Sequence, residues 1–213
     1  MKAIQLKAYG QPPENIGVVE INDIGTIKND EVVIDVLYSP VNPSDLLLMR
    51  GTYPILPELP SVIGGEGVGR VASVGSSVST VKPGDIVAIP FGTFAWSARV
   101  VAKAAELVIL PSKVDLQQAA MLSVNPPTAV LLLEEFVSLN VGDWIVFNAA
   151  NASVSHAIIA VAKSKGIKTL GIVRRKEAVD IALKAGADVV LIDDENVVGE
   201  AKKATNNAEI KLG

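Results

Sequence analysis

The sequence predicts an α/β chain in which a β-barrel-like front domain is followed by a partial doubly wound domain. Three observations carry this. Short strand-like runs separated by Gly/Pro turns fill the stretch up to about Pro111. Beyond it strand and helix patterns alternate, as right-handed crossovers on a parallel sheet require. At the centre of that second half, Val141 to Val173 reads as strand, small-residue turn, helix and strand.

Taken in order, Met1-Lys2-Ala3-Ile4-Gln5-Leu6 is strand-like, and Val18–Ile21, Glu31–Tyr38, Gly67–Val74 and Asp85–Ile89 follow as strands. Val81-Lys82-Pro83-Gly84-Asp85 is a turn that places a strand after it, and Leu139-Asn140-Val141-Gly142-Asp143 repeats that logic. Only Asp45–Met49 looks helical in the front part, with Asn42 or Ser44 as its cap. After Pro111, Asp115 caps a helix through Leu122, and Pro127 suits the first turn of another over Thr128–Phe136. Trp144–Phe147, Val154–Lys165 with Gly166 as its stop, Lys168–Val173, Lys176–Ala185, Asp188–Ile192 and Glu195–Ala204 then alternate strand and helix. Glu209 to Gly213 reads as a fourth strand just beginning, so the second domain is expected to be incomplete. The expected domains are 1–113 and 114–213.

With 213 residues, 49% hydrophobic and 20% charged, the chain can bury the core of one large or two small domains. A net charge of −4 and no basic cluster beyond Arg174-Arg175-Lys176 argue against nucleic acid as the main partner. Zero cysteines exclude disulfides, cysteine nucleophiles and thiolate-held zinc, and the single histidine, His156, excludes a multi-histidine metal site. No signal or transit peptide is visible, and no apolar run reaches the ~20 residues of a membrane span. A soluble intracellular protein is expected, with no membrane partner.

The turn Asn148-Ala149-Ala150-Asn151-Ala152-Ser153 stands where a dinucleotide-binding βαβ unit would set a pyrophosphate against a helix N-terminus. The backbone N–H groups of Asn151, Ala152, Ser153 and Val154 are the candidates to face it. No glycine occurs between Gly142 and Gly166, so the usual G-x-G-x-x-G fingerprint is absent. Alanine and serine allow close approach but take positive φ less freely. A βαβ unit without a ligand is the plainer alternative. Arg174, Arg175 and Lys176 follow the second strand, where an NAD-selective site would carry an acidic residue. Basic groups there suit a 2′-phosphate, hence NADPH; a solvated charge run is the weaker alternative because the position is right.

Gly64 to Val71 (Gly-Gly-Glu-Gly-Val-Gly-Arg-Val) and Lys82-Pro83-Gly84-Asp85, joined to a βαβ domain, resemble the medium-chain dehydrogenase/reductase superfamily. Asn42-Pro43-Ser44-Asp45, Gly51-Thr52-Tyr53-Pro54, Leu56-Pro57-Glu58-Leu59-Pro60 and Val124-Asn125-Pro126-Pro127-Thr128-Ala129 are similar to its zinc-independent 2-enoyl thioester reductases. The resemblance implies a GroES-like β-barrel followed by a Rossmann-type domain. It also implies NADPH-dependent reduction of trans-2-enoyl-CoA or enoyl-ACP in fatty acid synthesis, by a homodimer. The location would be cytoplasmic in a bacterium, or else the mitochondrial matrix. The family usually keeps a glycine near Ser153 or Ser155, and carries the rest of the sheet and a return segment to the front domain.

Zinc alcohol dehydrogenases of the superfamily place a cysteine near Ser39-Pro40-Val41 and a histidine in Gly-His-Glu; here Gly65 precedes Glu66, which is read as structural. The resemblance makes Tyr53 the proton donor, since a phenol can act as a general acid and bond a thioester oxygen. On residues alone Tyr53 would pack against Pro54 and Leu56. Asn125 resembles the asparagine beside the nicotinamide ribose; a plain helix-terminus cap is the alternative. His156 reads as a helix residue, and Trp96 and Trp144 as packing. Two rivals accompany this reading: a zinc-free NADPH quinone oxidoreductase, and a truncated protein that only binds a nucleotide or a partner chain.

Overall fold

Runs of β-branched residues set the architecture of the front half, and the computed structural model describes residues 1–213. In chain order its elements are β1 (Lys2–Leu6), β2 (Ile16–Glu20), β3 (Glu31–Tyr38), α1 (Pro43–Arg50), β4 (Ser61–Val62), β5 (Gly67–Val74), β6 (Ile86–Ile89), β7 (Arg99–Lys103), β8 (Val108–Ile109) and the short α2 (Leu116–Ala119). The strands form a three-stranded sheet, β2-β1-β4, and a five-stranded sheet, β7-β3-β5-β6-β8, with antiparallel pairings throughout. Val32, Ile34, Val71, Val87, Ile89 and Val100 fill the main core. Leu6, Met49 and Ile63 make a smaller one that includes the end of α1.

The second half begins with α3 (Asn125–Glu134) and continues β9 (Trp144–Phe147), α4 (Ser153–Ser164), β10 (Lys168–Val173), α5 (Glu177–Ala185), β11 (Val189–Ile192), α6 (Val197–Ala204) and β12 (Ile210–Leu212). Its four strands pair in parallel in the order β11-β10-β9-β12. The chain therefore grows outward from β9 through β10 to β11, then reverses and lays β12 on the other side of β9. That reversal is the switch point of a Rossmann-type sheet, where ligands bind outside the carboxyl ends of the strands. Ile158 and Ala162 of α4 pack with Ile145, Ile167 and Ala129 and Leu133 of α3.

The two turns paired by sequence share one structure. Asp85 N donates to Lys82 O at 3.1 Å while Lys82 N donates to Asp85 Oδ2 at 2.9 Å. Asp143 N donates to Asn140 O at 3.1 Å while Asn140 N donates to Asp143 Oδ2 at 2.7 Å. Gly84 (φ 96) and Gly142 (φ 92) hold the third position, which needs positive φ.

The structure corrects several expectations. The chain divides into compact units Met1–Val124 and Asn125–Gly213, so the boundary expected after Lys113 falls after Val124. The reason is that α2 belongs to the front core: Ala119 and Ala120 pack with Val68 and Ile86, and Ser123 Oγ donates to Ile89 O at 2.7 Å. α2 stops at Ala119, although Asp115 does cap it by accepting from Gln117 N (2.9 Å) and Gln118 N (3.1 Å). β4, β7 and β8 were not expected; each exists through pairing with a longer strand, respectively β1, β3 and β6. α3 starts at Asn125 and ends at Glu134, not Thr128 to Phe136, and α6 starts at Val197 rather than Glu195.

Candidate functional site

The second unit offers a recess at the carboxyl ends of β9 and β10. The turn after β9 achieves without glycine what glycines usually allow. Ala149 takes φ 48, in the left-handed region. Ala150 is fully buried and its N–H donates to Ile172 O at 3.2 Å. The room for it lies on the neighbouring strand, because a Cβ at Gly171 would come within 2.5 Å of Ala150 Cβ. The close approach is thus supplied by a glycine of β10. Ser155, 2% exposed, fixes the turn by donating to Ala149 O at 3.0 Å.

Of the amides expected to face a pyrophosphate, Ala152 N is already used, donating to Ala149 O at 2.8 Å. Ala152 is instead the residue that caps α4, and its methyl side chain offers no acceptor to do so. The N–H groups of Asn151, Ser153, Val154 and Ser155 make no bond within the chain. A helix of 12 residues thus opens with free donors and its positive dipole end, an anion-binding arrangement.

Arg174 and Arg175, just past β10, line a recess of about 750 Å³ together with Asn148, Asn151, Ala152 and Asp193. Neither guanidinium has a carboxylate within ion-pair distance. Lys176 does not line this recess; it stands at the start of α5. Asn125, the first residue of α3, buries its Nδ2 without a partner. An unmatched buried donor costs about 1–3 kcal/mol, so its presence fits a ligand oxygen. His156, set aside in the sequence reading, likewise buries Nε2 without a partner in the first turns of α4. The free amides at the start of α4 and the two guanidiniums suit a phosphorylated ligand; Asn125 and His156 do not line that recess.

The front unit holds a second recess, of about 340 Å³, lined by Tyr53, Asp45, Ile55, Leu56, Phe91 and Phe94 among others. Its wall is mostly apolar, and the Tyr53 hydroxyl has no hydrogen-bond partner in the chain. Asp45, expected at the start of a helix and within the Asn42-Pro43-Ser44-Asp45 motif but given no role of its own, also lines this recess. It is 4% exposed, and accepts from Asn42 N at 2.7 Å and Gly65 N at 3.1 Å. Burial pushes its carboxyl above the ordinary range, against those two bonds. Its signal in the sequence was an acid three residues after the helix cap Asn42.

Glu66 is fully buried behind it, accepting from Asn42 Nδ2 and from Ser123 N, both at 3.0 Å. Burial also raises this carboxyl, opposed by those bonds. It ties α1, β5 and the end of the front unit together, a structural role. Trp96 donates Nε1 to Pro40 O at 3.0 Å, and buried Trp144 lies under Lys168 Nζ, 5.4 Å from its ring centre.

Comparison with known proteins reaches both units of the chain. Residues 28–111 match the alcohol dehydrogenase GroES-like domain family. The chain is 36% identical over 207 residues to the mitochondrial enoyl-[acyl-carrier-protein] reductase of Rattus norvegicus, covering 95% of this chain and 55% of that one. Among solved structures, the quinone oxidoreductase of Escherichia coli complexed with NADPH superposes with a TM-score of 0.87 at 29% identity, over 99% of this chain and 64% of the other. A mutant enoyl thioester reductase from Candida tropicalis gives 0.80 at 25% identity, over 97% and 65%. The chain spans little more than half the length of the curated relatives it matches.

Proposed function

Because the chain belongs to the medium-chain dehydrogenase/reductase superfamily and resembles its enoyl reductases, we propose that it serves NADPH-dependent reduction of the C2=C3 bond of trans-2-enoyl thioesters. The observation that carries this is Tyr53: a phenol with an unpartnered hydroxyl on an apolar recess able to take an acyl chain. When bound, NADPH supplies hydride to the substrate β-carbon. Tyr53 bonds the thioester oxygen through its hydroxyl and delivers a proton to the α-carbon, relieving the enolate charge that builds there. Ile55, Leu56, Phe91 and Phe94 hold the acyl chain and keep water from it. Asp45 and Glu66 brace the recess wall through Asn42 and Gly65.

For the cofactor, Arg174 and Arg175 take the 2′-phosphate, the free amides of Asn151, Ser153 and Val154 take the pyrophosphate, and Asn125 meets a ribose or nicotinamide oxygen. The relatives' names support a mitochondrial setting, and no helix is long and apolar enough to cross a membrane. The second reading, NADPH-linked quinone reduction, is favoured by the TM-score of 0.87 to the Escherichia coli enzyme. One experiment separates them: NADPH consumption with crotonyl-CoA against 1,4-benzoquinone. Consumption with crotonyl-CoA that needs Tyr53 supports the enoyl reductase. Consumption with the quinone alone, indifferent to Tyr53, supports the other.

A further inference from the structure

The loop that carries Tyr53 packs Leu59 beside the Leu6, Met49 and Ile63 core, but its backbone is held at one point. Residues 53–60 make a single hydrogen bond, in which the Tyr9 hydroxyl donates to the carbonyl of Pro57. The ring of Tyr9 lies against the start of the same loop. A Cβ at Gly51 would sit 3.1 Å from Tyr9 Cβ and Cγ, so glycine gives the ring its room. Gly51 also closes α1 in the left-handed conformation at φ 75, a second demand that glycine meets. Tyr9 is in turn tethered to α1. Gly10 N donates to Met49 O at 2.9 Å, and Asn15 Nδ2 donates to Met49 O at 2.9 Å and to Gly10 O at 3.1 Å. One residue therefore brackets the loop at its beginning and near its end, and it does so without lining the recess.

We propose that Tyr9 is a positioning residue that fixes Tyr53 over the front recess by clamping Gly51 and Pro57; this rests on the reading of Tyr53 as the proton donor. Ile55 and Leu56, 79% and 40% exposed, give the stretch between Tyr53 and Pro57 little burial; Leu59 packs only beyond Pro57. Losing the clamp frees the backbone on either side of Tyr53 and spreads its hydroxyl over many positions.

Tyr9→Phe removes the hydroxyl and keeps the ring against Gly51, so the fold is retained. The experiment is backbone ¹⁵N relaxation on the parent chain and this variant, with crotonyl-CoA titrations in the Tyr53 and Tyr53→Phe backgrounds. In the variant, order parameters of Ile55, Leu56 and Glu58 fall from the rigid ~0.85 toward the flexible range below ~0.6, while the strands keep theirs. Crotonyl-CoA binding weakens about three- to tenfold where Tyr53 is present, the factor one ordinary hydrogen bond supplies, and by less in the Tyr53→Phe background, where only the grip of Ile55 and Leu56 is lost. Unchanged order parameters overturn the clamp, and an equal loss in both backgrounds overturns its action through Tyr53. A parent chain that ignores crotonyl-CoA counts against the enoyl thioester reading alone, and relaxation then decides the clamp by itself.

Discussion

The two recesses are built to different stiffness. Around the turn after β9, three hydrogen bonds converge on a short stretch: Ala150 N to Ile172 O, Ala152 N to Ala149 O and Ser155 Oγ to Ala149 O. The Tyr53 loop has one, from Tyr9. On the proposed reading the stiff turn serves a diphosphate whose shape never varies, and rigidity there lowers the ordering cost of binding. The looser loop serves acyl groups that differ in length. A single clamp then keeps the phenol in place while its neighbours adapt.

The largest expected effect breaks the loosely held side at its proposed proton donor. Tyr53→Phe lowers turnover of crotonyl-CoA by about 10²–10⁴-fold, the usual worth of a positioned acid, while NADPH titration is unchanged. Equal kcat in parent and variant returns Tyr53 to packing. The next tests the stiff side by charge. Arg174→Ala with Arg175→Ala weakens NADPH binding by about 1.5–3 kcal/mol for each charge-assisted bond to the phosphate that is removed, and leaves NADH nearly untouched. Isothermal titration with both cofactors checks it, and equal losses for the two would remove the 2′-phosphate assignment.

Gly171→Ala attacks the same side by shape alone. Its Cβ would fall 2.5 Å from that of buried Ala150, so the turn must shift. Overpacking of this kind costs about 1–3 kcal/mol, read as a lower denaturant midpoint with weakened NADPH binding. An unshifted midpoint would show the turn to be softer than its hydrogen bonds suggest.

The smallest effect concerns pH. Asp45 titrates above its ordinary 3.8 because burial disfavours its charge. The folded state then binds more protons than the unfolded one in the window from that value up to the raised one. The contribution of Asp45 is thus fully present below its ordinary value and is lost as pH rises through the folded one. Urea unfolding across mildly acidic pH should show a falling slope in the parent chain, shallower in Asp45→Asn. The slope persists in part, because Glu66 is raised in the same direction. Identical slopes would mean that Asp45 is not the group responsible.

Much of the fold was legible. Glu31–Tyr38, Gly67–Val74, Trp144–Phe147 and Lys168–Val173 are long or apolar enough for their own pattern to define them, and all four are strands with those bounds. Ser61–Val62 and Val108–Ile109 have two residues each and no period to read; their partners make them strands. In the site, what escaped was whatever depends on residues far apart in the chain. The glycine that lets the turn pack is Gly171, on another strand from Ala150. The clamp on Pro57 comes from Tyr9, 48 residues away in sequence. Asp45 looked like a helix residue because only burial reveals its acid as unusual.

The place of β12 beside β9 has a consequence for how the chain is made. β9 gains its first neighbour, β10, with Trp144 opposite Lys168, soon after it is synthesised. Its other edge waits for Ile210, which pairs with the same Trp144 from across α4, α5 and α6. At the ~5–20 residues per second of translation, the intervening stretch takes several seconds to emerge. Through that interval the nascent chain presents an open row of backbone donors and acceptors beside half-covered Val146 and Phe147. A slow step in refolding from denaturant would report this long-range closure.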